Sequence, residues 1–441
     1  MNEAAAYRVR NVLLALLATG IAALGYLTPR TETLQLLTLA VVCSALAWWI
    51  YRHTREEEVP QLLGAAFVLR LLLLFMWPNL SDDFYRFVWD GRLLAAGEQP
   101  FALLPRDVLR TAAGNAAGLT DALFAQLNSP DYFTVYPPVA QASFWLSAKL
   151  SPHSVYGSVL VLRILQLIAE AGTLWLLPRV LQRMQMPSRS ALLYALNPLV
   201  ILELTGNLHA EALVVFFCVA AMYFLSNRFY LSAVLFGLGI AAKLLPLLLL
   251  PLLWRLLGTR RTLVYALVAG GVAAVCFLPL LAGGFVPHLL SSIDLYFRKF
   301  EFNASIYYLV REAGFAAKGY NIIAVAGPVL MLLSLLGIAA LALRKAQGDV
   351  VAVFARRAAL ALFMYYACAA IVHPWYVVPV LMWCVLGRWW FGVVWSAMVW
   401  GSYAAYGGDG VGENFWVVFV EYAVVFGVLG WEWYVGRFGR R

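Results

Sequence analysis

Leu244-Leu245-Pro246-Leu247-Leu248-Leu249-Leu250-Pro251-Leu252-Leu253 is apolar at every position. A strand of a membrane barrel alternates apolar and polar residues, so a continuous run of this kind excludes one. The same character extends outward through the 441-residue chain, which is 63% hydrophobic and only 12% charged and carries 16 Trp. Mean hydropathy is +0.79. That balance leaves no plausible soluble fold and predicts an all-α polytopic membrane protein. The formal net charge of +9 does not point to nucleic acid, because the basic residues sit in short segments between apolar runs. Cys43, Cys218, Cys276, Cys368 and Cys384 lie within or beside apolar runs without a C-x-x-C, and read as core thiols. Asn11–Leu27 lacks a small-x-small cleavage site and is followed at once by another apolar run, so it reads as a retained first helix.

Charge sets the topology. Arg8 and Arg10 place the N-terminus in the cytoplasm, and Arg52 and Arg55 mark the next cytoplasmic loop. A third span, Gln61–Trp77, then delivers Ser81-Asp82-Asp83-Phe84-Tyr85-Arg86-Phe87-Val88-Trp89-Asp90-Gly91-Arg92 to the outer face. Residues 79–136 hold seven acids against four bases, which suits an external loop in an otherwise basic protein.

Three later stretches are basic at both ends and interrupted in the middle: Ala191–Asn227, Tyr230–Leu257 and Ala358–Gly387. Two short legs keep both basic ends inside, so each is expected to be a hairpin. Legs of roughly 14–18 residues reach only about 21–27 Å, short of a hydrocarbon core of about 30 Å. The tips at Thr205–Glu211, Lys243–Pro246 and His373–Tyr376 are therefore expected to wall a cavity beneath the acidic loop, where irregular backbone is tolerated. The chain reads as one integral domain of about 14 spans. Three helices occupy 10–77, the external loop 78–153, further helices with hairpins 154–282, a second external loop 283–320, and C-terminal helices 321–441. Val135–Lys149 is expected as a partly embedded outer helix, and Arg437, Arg440 and Arg441 end the chain in the cytoplasm.

Asp82 and Asp83 could cap a helix behind Ser81, but one acid suffices for that, and two adjacent acids repel. A carboxylate at the edge of a low-dielectric region is suited to taking a proton from a hydroxyl. Lys243 sits mid-run rather than at a basic boundary, and an intramembrane lysine points to function. Its expected partner is an anionic substrate group, with Arg298 and His373 as further cations. His209 and Glu211 are expected to satisfy one another or to meet substrate. Trp375 and Tyr376 are expected either in the interfacial belt or stacked on a sugar. Arg163 and Glu170 are expected to pair within the bundle. Nucleoside triphosphates and nucleotide sugars are absent outside the membrane, so an outward site walled by cations suits a phospholipid-linked donor. Its phosphate leaving group needs positive charge more than an acid. A single displacement with one carboxylate base inverts the anomeric centre.

The ordered motifs are Asp82-Asp83-x-Tyr85-Arg86-x-x-Trp89-Asp90-Gly91-Arg92, Tyr136-Pro137-Pro138, Asn197-Pro198-Leu199, Gly206-Asn207-x-His209-x-Glu211, Lys243-Leu244-x-Pro246 and His373-Pro374-Trp375-Tyr376. Over roughly Val59 to Trp390 this set resembles bacterial GT-C superfamily glycosyltransferases, nearest the polyprenol-phosphate-mannose-dependent mannosyltransferases. The resemblance implies transfer of a monosaccharide, mannose or similar, from a polyprenyl-phosphate donor to a glycan, lipid or protein acceptor. The active site would face the exterior of the cytoplasmic membrane. It implies a base at Asp82 or Asp83, with Asp82 preferred, and donor-phosphate contacts from Lys243, Arg298 and His373. Arg86, Asp90, Arg92, Tyr136, Asn207, His209, Glu211, Asn303, Trp375 and Tyr376 are assigned to substrate. Two features depart from the pattern: two additional helices precede the acidic loop, and the second motif is His209-x-Glu211 rather than paired acids. No obligatory metal is expected. The rival readings are a sugar-lipid flippase, with the same charges forming a path, and an enzyme transferring a whole glycan from a pyrophosphate lipid. No repeated halves favour the flippase.

Overall fold

A backbone inside a bilayer must satisfy its own polar groups, which leaves apolar runs like these only the helix. The structure, a computed structural model, describes residues 3–345, 347–407 and 412–438. It is all-α as expected. Among the described residues strand pairing is limited to an isolated bridge between Phe302 and Ile371. Arg440 and Arg441 lie outside the described residues.

Among the described residues seven helices are long and apolar enough to cross a membrane: Tyr7–Tyr26, Thr33–His53, Val155–Arg183, Thr259–Leu280, Ile323–Leu343, Val350–Cys368 and Phe415–Gly436. The total is eight if Pro198–Gly206 and Glu211–Phe224, bent by 114°, form one span. The expectation of about 14 counted every apolar leg. Phe229–Ala242, Leu245–Leu257 and Pro374–Gly387 contain only 10–17 residues each, roughly 15–26 Å at about 1.5 Å per residue. The expected third span is likewise short: its helix covers only Val59–Leu71.

All three expected interruptions are present. In the first, Asn197 caps the short helix Pro198–Val200, which continues as the π-helical turn Ile201–Gly206. The chain then breaks, with Leu208 at φ 68°. Arg163 stitches this break. It donates to the carbonyls of Thr205 and Gly206, both at 2.9 Å, and to those of Leu74 at 2.9 Å and Met76 at 2.6 Å. Buried carbonyls freed from a helix ladder need such a donor. In the second, Phe229–Ala242 ends at an extended Lys243 (φ −159°, ψ 135°) ahead of Pro246. In the third, Val350–Cys368 stops before the Pro374–Tyr376 turn and the helix Val377–Gly387. Every residue of that last helix is buried, as a helix apolar all round requires.

Arg163 is therefore not the partner of Glu170. Glu170 instead meets Arg70, with both guanidinium contacts at 2.8 Å and both side chains fully buried, and accepts from Tyr194 Oη at 2.6 Å.

The acidic loop folds around a small apolar core that includes Val88, Trp89, Leu93, Val108 and Leu123. Its helix Asp83–Ala95 lies on Pro138–Leu150, the expected partly embedded helix. Gly91 permits that approach: a Cβ there would stand 2.7 Å from the Phe144 carbonyl carbon and 3.3 Å from its Cα. Backbone cannot rotate away as a side chain can. Gly91→Ala should therefore destabilise the protein by about 1–3 kcal/mol, read as a lowered unfolding midpoint in detergent.

In the segment after Phe285–Arg298, Glu301 is tied to the helix Ile306–Lys318 and to Asn321, just ahead of Ile323–Leu343. It accepts from Tyr307 Oη at 2.5 Å, from Arg311 at 2.7 Å, and from Asn321. Burial works to raise its carboxyl, but these donors hold it below the usual carboxylate range.

Candidate functional site

The helix after the acidic motif begins at Asp83, so Asp82 rather than Ser81 occupies the capping position, and its side chain makes no capping bond. Its carboxylate turns instead to Arg30, at 2.6 Å, in the turn joining the first two helices. Asp83 accepts from Asn128 Nδ2 at 2.7 Å. Both aspartates are half-buried, at the rim of a connected polar and aromatic cluster.

From Asp82 the cluster runs inward. The Arg30 guanidinium lies 4.9 Å from the Tyr406 ring, which is 5.9 Å from Phe302 and 6.2 Å from Tyr403. Phe302 is 4.9 Å from the His373 ring, a placement enforced by the bridge in which Val372 N donates to Phe302 O at 2.8 Å. His373 stacks on one side of Trp375 at 4.4 Å, and His209 stacks on Trp375 at 3.7 Å. His209 Nε2 is 3.3 Å from the Glu203 carboxylate, which also accepts from Tyr403 Oη. Asn207 Nδ2 reaches Glu203 at 3.5 Å, and its Oδ1 accepts from Leu80 N at 3.2 Å, two residues before Asp82. Lys243 donates to Glu211 and lies 4.2 Å from the Tyr376 ring centre; that ring is 5.3 Å from His373.

The three interruptions and the acidic loop are therefore linked through one chain of contacts, and several assignments change in detail. His209 and Glu211 do not satisfy each other: the first pairs with Glu203 and the second with Lys243. Trp375 is buried between two imidazoles, so neither ring face is open to a sugar as it stands. Arg298 is half-exposed and paired with Asp294 at 2.8 Å rather than with the neighbours of Lys243. Arg86, Asp90 and Arg92 are taken up in holding the acidic loop. Arg86 binds Asp90 at 2.8 Å and the carbonyls of Ser129 and Tyr132, Asp90 accepts from Gln141, and Arg92 donates to Gly118 O. Tyr136 packs edge-on against the stacked rings of Phe87 and Phe144. Asn303, fully buried at φ 48°, donates through Nδ2 to Glu421 and through its backbone N to Glu413. These five side chains shape the site from behind.

Sequence reading missed Arg30, Asn128, Glu203, Tyr403 and Tyr406. Glu203 carried the available signal: it is a carboxylate inside the apolar run Val200-Ile201-Leu202-Glu203-Leu204. Among the described residues no group of three or more His, Cys, Asp or Glu side chains stands together as a metal site. A cavity of about 440 Å³ opens at the other end of the long helix, lined by Leu63, Phe67, Trp175, Arg179 and Gln182 among others. It shares no residue with the cluster.

The sequence model of the alpha-(1->6)-mannopyranosyltransferase family, N-terminal domain, matches residues 3–258. The chain belongs to this family. The matched region contains Asp82, Asp83, Asn207, His209, Glu211 and Lys243, while Asn303 and His373–Tyr376 lie beyond it. It also begins at the first helix, so the N-terminal helix pair that looked additional is part of the family's own domain. That pair supplies Arg30. A probable alpha-(1->6)-mannopyranosyltransferase of Mycolicibacterium smegmatis is 28% identical over 51% of this chain and 38% of its own length. Alpha-(1->6)-mannopyranosyltransferase A of Mycobacterium tuberculosis is 29% identical over 41% of this chain and 34% of its own. Alpha-(1->6)-mannopyranosyltransferase B of Corynebacterium glutamicum is 27% identical over 33% and 23%. The matches thus span only about a quarter to two-fifths of these relatives' length. No solved structure matches the chain.

Proposed function

We propose that the protein transfers a mannosyl unit from a polyprenyl-phosphate donor to an acceptor hydroxyl at the outer face of the cytoplasmic membrane, with both termini inside. The observation that carries this reading is the meeting of the aspartate rim with Lys243 and His373 in one cluster. Family membership supports the sugar, and the charged external loop supports the outward face.

In this reading Asp82 or Asp83 removes the acceptor proton as the oxygen attacks the anomeric carbon. The bond from that carbon to the phosphate oxygen breaks, and its electron pair leaves with the phosphate. Lys243, with His373 beside it, stabilises the charge that develops there. Attack opposite the leaving group inverts the anomeric centre. Arg30 holds Asp82 in place, and no metal is required.

Purified protein given mannose-labelled polyprenyl phosphate and a mannoside acceptor tests the proposal. Wild type should release polyprenyl phosphate and form a mannosylated product. Lys243→Ala should lose about 10²–10³-fold in rate, as removal of one charge-stabilising donor does. Movement of intact sugar-lipid across vesicles without bond cleavage would overturn transfer in favour of translocation.

A further inference from the structure

Lys243 is not waiting empty for a phosphate. It is already bound to Glu211, a carboxylate only 2% exposed, while its own side chain remains 30% exposed. Glu211 opens the helix Glu211–Phe224, whose N-terminal amides favour a negative charge there. It is almost wholly withdrawn from water. On the other side of the lysine lie the Tyr376 ring and, beyond it, His373, whose buried Nδ1 makes no hydrogen bond.

We infer that Glu211 is a resident counter-ion that yields Lys243 to the phosphate of the lipid and reclaims it as the product leaves. This rests on the reading of Lys243 as the phosphate site. The physical need comes from the charge change during transfer. A sugar phosphodiester carries one negative charge, whereas a phosphate monoester carries about −1.5 to −2 at pH 7. A lysine with no competitor would hold the spent carrier more tightly than the donor, and turnover would stall on release. A buried carboxylate beside the lysine opposes every bound phosphate, because the exchange leaves Glu211 desolvated and without its cation. It opposes the more highly charged product most. Glu211 thus trades affinity for release, and Tyr376 holds the ammonium in reach of both anions.

The test titrates farnesyl phosphate into the full-length protein in detergent, with binding read by calorimetry and by the rise in unfolding temperature. Glu211→Gln should bind about tenfold more tightly than wild type, equivalent to about 1.4 kcal/mol. Its unfolding temperature without ligand should be lower and its ligand-induced rise larger. Glu211→Asp draws the carboxylate back but keeps the charge, so it should fall between the two and keep the test readable if the Gln variant does not fold. Lys243→Gln should lose binding. If Glu211→Gln binds no more tightly than wild type while Lys243→Gln loses binding, the counter-ion role is wrong and the phosphate site stands. If Lys243→Gln binds like wild type, the phosphate site itself is wrong.

Discussion

Replacing the aspartate proposed as the base by asparagine should reduce the rate of the proposed mannosyl transfer by about 10²–10⁴-fold, the usual contribution of a positioned general base. The substitution is close to isosteric, and the surroundings tolerate it. In Asp83→Asn the new amide oxygen can still accept from Asn128, which bonds Asp83 at 2.7 Å. Asp82→Asn gives up a charge pair with Arg30 whose side chains are 31% and 39% exposed, and pairs of that kind contribute about 0–1 kcal/mol. Both variants should therefore unfold within a few degrees of wild type, so that a lost rate reads as lost chemistry. Initial rates at saturating donor distinguish the two carboxylates. The base shows the full loss, with Asp82 the expected one, and its neighbour a smaller one. If both variants stay within about threefold of wild type, neither carboxylate is the base.

Arg70→Leu should destabilise the fold severely, costing about 3–5 kcal/mol. Arg70 and Glu170 are both fully out of solvent, and Arg70 also donates to the carbonyls of Ala66 and Ala195. Removing the guanidinium leaves the Glu170 carboxylate with Tyr194 as donor and takes a side-chain donor from the carbonyls of Ala66 and Ala195. The penalty is that of an uncompensated buried charge. The double change Arg70→Met with Glu170→Gln should therefore recover most of the loss, because replacing both partners avoids it. Denaturant unfolding in micelles of the two single variants and the double variant measures this coupling directly.

What the sequence revealed and what it hid follow from the range of the interactions. The breaks at Gly206–Glu211, Lys243–Pro246 and His373–Tyr376 were legible because proline and charge in an apolar run oppose a continuous helix locally. The acidic loop was legible because its charge has no place in lipid. Arg70 and Glu170 are 100 residues apart, and nothing local in either helix signals the other. Arg30 is similarly concealed: it looks like an ordinary turn residue until folding brings it to Asp82. The Arg86–Asp90 spacing was visible, but its burial was not, and burial is what turned an expected substrate contact into a tether. Short legs were legible, but the number of spans was not, for a related reason. Apolar composition marks a segment as buried without showing whether lipid or protein covers it, and Val377–Gly387 is wholly covered by protein.

The most direct measurement is an experimental structure of the protein with mannosyl farnesyl phosphate bound. The account predicts the phosphate within hydrogen-bond reach of Lys243 and His373, and the anomeric carbon between it and the Asp82–Asp83 rim. A donor whose phosphate lies instead at Arg179, in the cavity at the far end of the long helix, would contradict it.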